Sequence, residues 1–483
     1  MSESTPKKLK ASGLPRHPMP EQNPKKRAAN FEEVPYGYSL EVAMEEATRC
    51  LRCPKPRCVK ACPVNINIPN FIDSIARGEI AEAASKLKKQ SALSAVCGRV
   101  CPQEMQCEGS CILGIKSKPV AIGALERFAA DYVRQNNLEE PPVKAPPTGK
   151  KAAVIGCGPA GITAALELAL AGHEVDVFEG LHFPGGVLMY GIPQFRLPKE
   201  IVLHEVNNLK SLGVNIHLNH LVGKMQTVDE LLASGYDAVF IGSGAGLPNF
   251  MGIPGENSVG VFSANEFLTR FNLMKAYDFP NFGTTPIRAK HIVTVGGGNV
   301  AMDSARTALR AGAKSTLVYR RAREQMPARS EEVHHAEQEG VNFELLTAPK
   351  RVIADENSRV VGLECVRMQL TEPDESGRRG VVEIPGSEFV LECDAVVAAI
   401  GNRPNPLIPM TCKNLKTTRK GTLEVNPDTL QTSMPGVFAG GDVVSGAATV
   451  ISAMGQAKKA AASMNRYLRG ETLDEPASDS DKQ

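Results

Sequence analysis

The chain has 483 residues, of which 42% are hydrophobic and 22% charged, and its formal net charge is +2. Its length predicts about three domains, and its small net charge favours neither nucleic acid nor an anionic membrane as a partner. Because no apolar stretch follows the basic N-terminus and no run of about 18 apolar residues occurs, we expect no signal peptide and no membrane-spanning helix.

Residues 1–150 are predicted to form an N-terminal arm, a mainly helical domain and a linker. The arm, residues 1–40, is rich in Lys, Pro and Asn. Apolar residues at helical spacing predict one helix from about Ser39 to Cys50, a second over 75–87 and a third over 120–133. The linker, residues 139–151, holds four prolines, a composition typical of a domain boundary.

Eight of the 12 cysteines lie in two runs between residues 50 and 111. The first run has the spacing C-x2-C-x4-C-x3-C-P and consists of Cys50, Cys53, Cys58 and Cys62. The second run has the spacing C-x3-C-P-x4-C-x3-C and consists of Cys97, Cys101, Cys107 and Cys111.

Bacterial ferredoxins contain a related run, whose fourth cysteine ligates the other cluster. We therefore expect two iron–sulfur clusters, with Cys50, Cys53 and Cys58 on one and Cys62 reaching to the second. Four-cysteine zinc sites also use short paired spacings and are the alternative. Clustered cysteines of this kind favour metal ligation in a reducing compartment over a disulfide framework, so we expect a cytoplasmic protein.

The pattern G-x-G-x-x-G occurs at residues 156–161. It lies between a strand predicted over 151–154 and a helix predicted to end at Leu170. Its glycines allow a tight turn and a close approach to a pyrophosphate, which the helix N-terminus faces. A glutamate at the end of the next strand can accept from ribose hydroxyls. The alternative is a glycine-rich packing turn. The predicted nucleotide-binding residues are Gly156, Gly158, Pro159, Ala160, Gly161 and Glu179.

The same strand–turn–helix–strand pattern recurs over 290–321, with fingerprint residues Gly296, Gly298, Asn299 and Val300. Where the first copy has Glu179, this copy has an arginine. A guanidinium binds a 2′-phosphate that a carboxylate would repel, so we expect NADP(H) and not NAD(H). The alternative is a solvated, salt-bridged surface run. The arginines concerned are Arg320, Arg321 and Arg323.

The segment 437–442, VFAGGD, and the small-residue helix predicted over 446–462 resemble the second flavin motif of two-dinucleotide-binding flavoproteins. The resemblance implies that Asp442 contacts the ribityl–phosphate part of FAD. It also implies that the helix N-terminus points at the flavin ring, where it would stabilise a reduced anion. Segments 236–244 and 398–404 look like the strands that join the two domains in this family. The further cofactor-binding residues are Gly242, Gly244, Gly401, Gly441 and Thr449.

Together these patterns predict an α/β fold with two Rossmann-like dinucleotide-binding domains behind a mainly helical domain that holds two [4Fe–4S] clusters. We expect the FAD-binding domain to comprise residues 151–285 and 401–483, the second stretch with a polar C-terminal tail. The NADP(H)-binding domain is expected over 286–400. Hydride would pass between nicotinamide and flavin, and because that chemistry belongs to the cofactors we predict no catalytic side chain.

From about Pro18 to Arg469 the chain resembles the glutamate synthase small (beta) subunit family and its relative, the large subunit of NADH-dependent reduced ferredoxin:NADP oxidoreductase. The same module forms the N-terminal part of dihydropyrimidine dehydrogenase. Besides both cysteine runs, the resemblance rests on the segments 18–22, 30–38, 183–199 and 326–328.

The resemblance also implies site residues. One [4Fe–4S] cluster would be ligated by Cys50, Cys53, Cys58 and Cys111. The other would be ligated by Cys62, Cys101, Cys107 and, from the segment VAIGALE at 120–126, Glu126. Cys97 would then ligate neither cluster. The residues implied to flank FAD are Gly185, Gly186, Leu188 and Arg196.

The resemblance implies an electron-transfer subunit of a larger enzyme. We favour the bifurcating large subunit of the ferredoxin:NADP enzyme, with a smaller FAD and [2Fe–2S] partner and with ferredoxin. The alternatives are the NADPH-oxidising small subunit of glutamate synthase, with its large FMN partner, and a subunit of a sulfide or polysulfide dehydrogenase. A non-catalytic scaffold with zinc-filled cysteine sites is a further alternative, which the intact fingerprint glycines and Asp442 disfavour.

Overall fold

A computed structural model describes residues 13–374 and 379–473 of the chain. The start of the predicted arm and most of the predicted polar tail lie outside the described residues. The described part begins with an arm and a helical domain, whose helices are α1 (Pro24–Arg27), α2 (Leu40–Thr48), α3 (Arg57–Lys60), α4 (Ile68–Ala76), α5 (Ile80–Lys88), α6 (Ser94–Val100) and α7 (Ile122–Gln135).

Local sequence signals set the ends of these helices. The Ser39 side chain accepts a hydrogen bond from the N–H of Val42 and so caps α2. The single helix predicted over 75–87 is wrong, because the chain forms α4 and α5 instead. Gly78 lies between them with φ +79°, a left-handed conformation that ends a helix. Both helices pack against α7.

The first nucleotide domain follows the linker. Its elements are β1 (Lys151–Ile155), α8 (Pro159–Leu170), β2 (Glu174–Phe178), α9 (Val187–Tyr190), α10 (Lys199–Ser211), β3 (Asn215–His217), α11 (Val228–Ala233), β4 (Ala238–Ile241) and β5 (Leu247–Pro248).

The next stretch of chain forms the second nucleotide domain and an antiparallel insertion. Its elements are β6 (Val261–Ser263), α12 (Ala264–Asn272), β7 (His291–Val295), α13 (Asn299–Arg310), β8 (Lys314–Tyr319), α14 (Ser330–Glu339), β9 (Asn342–Leu345), β10 (Thr347–Ala354), β11 (Val360–Pro373), β12 (Arg379–Glu383), β13 (Phe389–Glu392), β14 (Ala395–Ala398) and β15 (Asn402–Arg403). The chain then adds α15 (Leu407–Thr411), β16 (Val437–Ala439), α16 (Asp442–Ser445) and α17 (Val450–Leu468).

Two parallel five-stranded sheets organise these elements. The first has the order β16-β4-β1-β2-β3, so a strand from the end of the chain completes the sheet that β1 begins. The second has the order β6-β14-β7-β8-β9. Because β6 pairs with β14, the second sheet begins before residue 285, where the sequence places the boundary. The short strands β5 and β15 pair antiparallel between the two domains.

The helical domain and the first nucleotide domain share one continuous apolar core. The long helix α17 packs on α8 and also contacts α6, so it touches both domains. The predicted fold class, a helical domain followed by two dinucleotide-binding α/β domains, is confirmed. In the described part of the chain, no helix combines the length and hydropathy needed to span a bilayer.

Candidate cofactor sites

The turn between β1 and α8 has the backbone geometry that its glycines predict. Gly156 has φ +96°, and a Cβ added at Gly161 would lie 1.8 Å from the carbonyl oxygen of Gly156. Neither position therefore admits a side chain. Pro159 and Ala160 begin α8, whose first N–H groups have no partner within the helix and are available to an anion.

Glu179 lies directly after β2, buried beside the same turn. Its carboxylate accepts hydrogen bonds from the N–H of Cys157 at 2.8 Å and of Leu181 at 2.9 Å. Burial raises the pKa of this carboxyl, and the backbone N–H bonds oppose the rise. Glu179 therefore lies beside the turn, and its contact with a ribose stays a prediction.

The loop before α9 lies on the first turn. The N–H of Gly185 donates to the carbonyl oxygen of Cys157 at 2.8 Å. A Cβ added at Gly186 would lie 2.8 Å from Cα of Gly158, so only glycine permits this approach. Leu188, on α9, is fully buried. The structure thus brings three of the four residues implied to flank FAD to the predicted nucleotide turn.

The ends of β4 and β16 reach the same turn from the other side. A Cβ added at Gly156 would lie 2.6 Å from the carbonyl oxygen of Gly242, and one added at Gly441 would lie 3.0 Å from Cβ of Ala160. Gly244, just beyond β4, adopts φ +69°. Residues 156–161, 185–188 and 441–442 therefore surround one space, which we call the cradle, although they lie up to 286 positions apart in sequence (442 − 156 = 286).

Asp442 and Thr449 begin the two helices that leave this cradle. The Asp442 carboxylate accepts from the N–H of Ala448 at 3.2 Å, and burial raises the pKa of its carboxyl to about 6. The Thr449 hydroxyl accepts from the N–H of Ser452 at 3.2 Å and caps α17. The N-terminus of α17 therefore lies close to the cradle, as the flavin motif implies.

Arg196 is the exception among the residues implied to flank FAD. It is 7% exposed, and Nη1 donates to both carboxylate oxygens of Asp303, while Nε lies 2.9 Å from Glu332. Both acids belong to the second nucleotide domain. A buried guanidinium needs such partners, so Arg196 forms part of the contact between the domains, and its place beside FAD stays a prediction.

The turn between β7 and α13 repeats the first geometry. Gly296 has φ +146°, and a Cβ added there would lie 2.3 Å from the carbonyl oxygen of Ala399. A Cβ at Gly298 would meet no atom within 4 Å, which leaves space in front of the turn. Val300 is 40% exposed, and Gly401, with φ +97°, follows β14 beside this turn.

The three predicted phosphate-binding arginines differ in their surroundings. Arg320 follows β8 directly and is exposed. The Nε of Arg321 is buried, with no hydrogen-bond partner among the described residues. Arg323 instead forms an ion pair with Glu337, whose second oxygen accepts from Nη2 at 2.7 Å. Two of the three arginines are thus available to a phosphate, whereas the third has a carboxylate partner.

The structure brings the first predicted set of cysteines together. Cys50, Cys53, Cys58 and Cys111 line one pocket, closed by apolar side chains of α4 and α7. Burial, and after it the neighbouring thiols of Cys50 and Cys111, raise the pKa of the Cys58 thiol to about 12. Four sulfurs in an apolar pocket suit a metal–sulfur cluster, whose charge would reverse these shifts.

The second set also converges, and Cys97 lies with it. The pKa of the Cys62 and Cys107 thiols is raised by burial first and also by the nearby Glu126 carboxylate. The pKa of Cys101 is raised by a hydrogen bond with Cys97, by burial and by the same carboxylate. The four predicted side chains are therefore buried close enough to one another to interact electrostatically, with Cys101 directly after α6 and Glu126 on α7.

Glu126 and Cys97, the two candidates for the last ligand of the second cluster, differ in their hydrogen-bond partners. Glu126 is 6% exposed, and burial raises the pKa of its carboxyl to about 8. Its Oε1 has no hydrogen-bond partner among the described residues. The Cys97 thiol, fully buried, donates to the sulfur of Met454 at 3.5 Å. A buried carboxylate oxygen without a hydrogen-bond partner is unfavourable, and an iron atom bound to it would satisfy it.

Helix α17 joins the cradle to the second set of cysteines. It begins at the cradle with the cap Thr449, and Met454 contacts Cys97. A Cβ added at Gly455 would lie 2.6 Å from the carbonyl oxygen of Pro63, the residue after Cys62. The glycine thus lets the helix approach the first cysteine run closely.

Comparison with known proteins identifies the family. The profile described as dihydropyrimidine dehydrogenase domain II, 4Fe-4S cluster, matches residues 27–138, and that of the pyridine nucleotide-disulphide oxidoreductases matches 150–460. The glutamate synthase [NADPH] small chain of Escherichia coli K12 is 36% identical over 93% of this chain and 96% of its own length. The chain belongs to the glutamate synthase small-chain family.

This member of the small-chain family is an NADP(H)-dependent iron–sulfur flavoprotein oxidoreductase, as the sequence predicts. The NADP(+)-dependent formate dehydrogenase subunit beta of Moorella thermoacetica is 42% identical over 85% of this chain, which spans 60% of that relative. The structure of FprA from Mycobacterium tuberculosis in complex with NADPH has a TM-score of 0.55 at 20% identity, covering 68% of this chain and 85% of that one. This likeness shows the fold.

Sequence reasoning missed two buried side chains at these sites. Lys199 donates to the carbonyl oxygen of Leu188 at 2.8 Å, also contacts that of Ile192, and thereby holds the loop beside the cradle. Arg329 connects the turn between β7 and α13 with the helical domain, through hydrogen bonds to Asn299 and to Gln103. Arg329 directly follows the segment 326–328, part of the family resemblance, which is the only sequence signal near it.

Proposed function

We propose that the chain exchanges hydride between NADP(H) and FAD and passes single electrons through two [4Fe–4S] clusters, as one subunit of a larger enzyme. FAD would lie in the cradle of residues 156–161, 185–188 and 441–442, with Glu179 at its ribose. NADP(H) would lie on residues 296–300, with its 2′-phosphate at Arg320 and Arg321. Bound flavin supplies the conversion between paired and single electrons, and the protein aligns the two rings and excludes water.

The cluster ligands we propose are the two sets that the fold brings together. The first is Cys50, Cys53, Cys58 and Cys111. The second is Cys62, Cys101, Cys107 and Glu126. The unpaired Oε1 of Glu126 supports the carboxylate ligand. The Cys97 sulfur contacts both Met454 and Cys101, and we propose that it packs beside the cluster without ligating it.

The observation that carries this function is the course of α17. From its cap at the cradle to its contacts with the cysteine runs, the helix advances six residues, or about 9 Å. A flavin at Thr449 and a cluster at Cys62 would therefore be close enough to exchange electrons directly.

We further propose that electrons leave or enter through the first cluster. The segments 50–60 and 111–119, which carry all four of its cysteines, contain no acidic residue. Five basic side chains on them are exposed, namely Lys55, Arg57, Lys60, Lys116 and Lys118. A positive rim around a partly exposed cluster attracts an acidic electron carrier, such as a ferredoxin, or an acidic face of a partner subunit.

The identity of the larger enzyme is a separate hypothesis. The bifurcating subunit of a ferredoxin:NADP oxidoreductase is suggested by the compact cysteine domain and the N-terminal motif PMPEQ. The glutamate synthase small subunit is supported by the match over 96% of the Escherichia coli small chain. Mass analysis of the chain that co-purifies separates the two, because the glutamate synthase partner is much larger than this chain and the ferredoxin-enzyme partner is smaller.

The test of the proposed function is a set of measurements on anaerobically prepared protein. We expect flavin absorption, a broad iron–sulfur shoulder, about eight iron and eight acid-labile sulfide per chain, and bleaching by NADPH. Half that iron content, with one EPR signal, would reduce the proposal to a single cluster. Protein without labile sulfide, or with flavin that NADPH does not reduce, would overturn it.

A further inference from the structure

Arg329 is tied by its backbone to the second nucleotide turn. Its N–H donates to Oδ1 of Asn299 at 2.9 Å, and the N–H of Ala328 donates to the carbonyl oxygen of Gly297 at 3.2 Å. Asn299 is the first residue of α13, where the pyrophosphate of NADP(H) is proposed to bind. A ligand that orders this turn therefore also fixes the backbone of Arg329.

The guanidinium of Arg329 reaches into the helical domain. Nη1 donates to the carbonyl oxygen of Arg99 at 2.9 Å, and Nη2 donates to Oε1 of Gln103 at 2.8 Å. Gln103 in turn donates through Nε2 to the carbonyl oxygen of Cys97 at 3.3 Å. Arg99 and Gln103 flank Cys101, a proposed ligand of the second cluster, so Arg329 bonds to the backbone on one side of that ligand and to a side chain on the other.

The charge of this side chain is retained in the interior. Arg329 is 6% exposed and lines a cavity of about 510 Å³ between the helical domain and the second nucleotide domain. A guanidinium stays protonated at any physiological pH. The guanidinium also pairs with two carboxylates: Nη2 donates to Oε2 of Glu331 at 2.7 Å, and Nε lies 3.5 Å from Oε2 of Glu104. Its positive charge is thereby compensated in part, and removing it would leave the two carboxylates near the cluster. Cluster potentials respond to such changes of charge and to nearby hydrogen bonds.

We propose that Arg329 is a positioning residue that couples occupancy of the NADP(H) site to the redox potential of the second cluster. The inference rests on the proposed function. The side chain raises the potential of that cluster through its charge, and the hydrogen bond from its backbone to Asn299 makes this effect depend on a bound nucleotide. By linkage, reducing the cluster changes nucleotide affinity by the same factor that the nucleotide changes the reduction equilibrium.

The experiment is a potentiometric titration of the full-length protein, with the EPR signal of each reduced cluster followed separately. It is run with and without 2′-phospho-ADP-ribose, the redox-inactive part of NADP. In the natural protein we expect this ligand to shift the potential of one cluster only. In Arg329→Gln the same cluster should have a lower potential, and the ligand-induced shift should be lost. Arg329→Lys keeps the charge but not the full set of hydrogen bonds. The cluster potential of this variant should therefore stay close to that of the natural protein, whereas its ligand-induced shift should be smaller.

Arg310→Gln is the matched control, because Arg310 is also buried in the second nucleotide domain and also loses a charge. Its guanidinium bonds to Glu339 and to the carbonyl oxygens of Arg306 and Asn30 instead of the cysteine loop. An equal shift in Arg310→Gln, or unchanged potentials in Arg329→Gln, would overturn the inference. If Arg329→Gln does not fold, a full ligand-induced shift in Arg329→Lys also overturns it.

Titration of the natural protein separates this inference from the proposed function. Two clusters and measurable binding of 2′-phospho-ADP-ribose, without any shift of potential, would contradict the coupling and leave the function intact. Absence of the clusters or of nucleotide binding would contradict the function itself. The reciprocal readout is calorimetric, since the affinity for 2′-phospho-ADP-ribose should differ between oxidised and reduced protein and become equal in Arg329→Gln.

Discussion

Arg196 and Asp303 form a buried ion pair between the two nucleotide domains. Nη1 of Arg196 donates to both carboxylate oxygens of Asp303, at 2.8 and 2.7 Å. Arg196 precedes α10 in the first domain, and Asp303 lies on α13, directly behind the second nucleotide turn. This ion pair therefore helps to fix the relative position of the two turns, and with it the alignment of nicotinamide and flavin.

Replacing this guanidinium should be costly for both stability and hydride transfer. We expect Arg196→Met to lower the free energy of unfolding by about 3–5 kcal/mol, because Asp303 would keep a buried charge without this partner and Glu332 would retain only Arg306 of its two arginine partners. Flavin reduction by NADPH should also slow, measured by stopped-flow absorbance. The control is Lys151→Met, which breaks an ion pair with Glu174 whose side chains are 49% and 51% exposed. Urea titration should show a loss of no more than about 1 kcal/mol there, and equal losses would contradict the prediction.

Arg320 and Arg321 should decide between the two nicotinamide cofactors. Each charge-assisted hydrogen bond to a phosphate contributes about 1.5–3 kcal/mol, so Arg321→Ala should weaken NADPH binding by about 10- to 100-fold. NADH, which lacks the 2′-phosphate, should bind almost as before. Arg323→Ala serves as the matched control, because Arg323 is already paired with Glu337. Similar losses for NADPH and NADH, measured as dissociation constants, would remove the assignment.

Glu126→Ala should alter the EPR signal and potential of one cluster and leave the other unchanged. The physical reason is that a carboxylate ligand adds charge to its cluster and tunes its potential. Cys97→Ala is the companion variant, in which both clusters should persist, since its sulfur contacts Met454. Loss of a cluster in Cys97→Ala, with Glu126→Ala unaffected, would show that the proposed ligand set is wrong.

The basic rim of the first cluster should govern transfer to an acidic electron acceptor. We expect the double variant Lys116→Glu and Lys118→Glu to lower kcat/KM for ferredoxin reduction by about tenfold at low salt, mainly through KM. The difference should shrink as salt screens the rim. Reduction of a small uncharged dye by NADPH should stay the same. A salt-independent loss with both acceptors would mean that the variant damages the cluster instead of the docking surface.

The sequence predicts those features that depend on local backbone requirements. Glycines at 156, 161 and 296 leave no room for a Cβ, and both nucleotide turns stand where their pattern places them. The sequence also predicts which cysteines lie together, but only through the family resemblance. Spacing alone would assign the eight cysteines to two clusters of four and would not indicate Glu126 in place of Cys97 in the proposed ligand set. The prediction of one helix over 75–87 was wrong, because the apolar residues keep helical spacing across Gly78 although the chain ends one helix there and begins another.

Contacts between distant elements could not be predicted in the same way. Nothing local in the sequence indicates that Arg196 faces Asp303 across a domain contact. The same holds for the contact of Arg329 with Gln103, which lies 226 residues away in sequence. Such pairs depend on how whole domains pack, and a pattern of neighbours in sequence carries no information about that packing.

Lys199 should make the stability of the protein depend on pH. Burial lowers the pKa of its ammonium group to about 7, from the ordinary value of 10.5. Between these values the unfolded chain binds more protons at this site than the folded chain, so its contribution to stability rises with pH over that window. Below pH 7 both states are protonated, and the cost of the buried charge is present in full.

The comparison that isolates this effect is between the natural protein and Lys199→Met at pH 7 and pH 9. The variant leaves the carbonyl oxygens of Leu188 and Ile192 without their donor, a cost that does not depend on pH. The natural protein should therefore gain up to about 1.4 kcal/mol per pH unit relative to the variant, measured by urea titration. Lys420→Met, at an exposed turn, is the control. A difference between natural protein and Lys199→Met that is the same at both pH values would show that the ammonium group does not change its charge in this window.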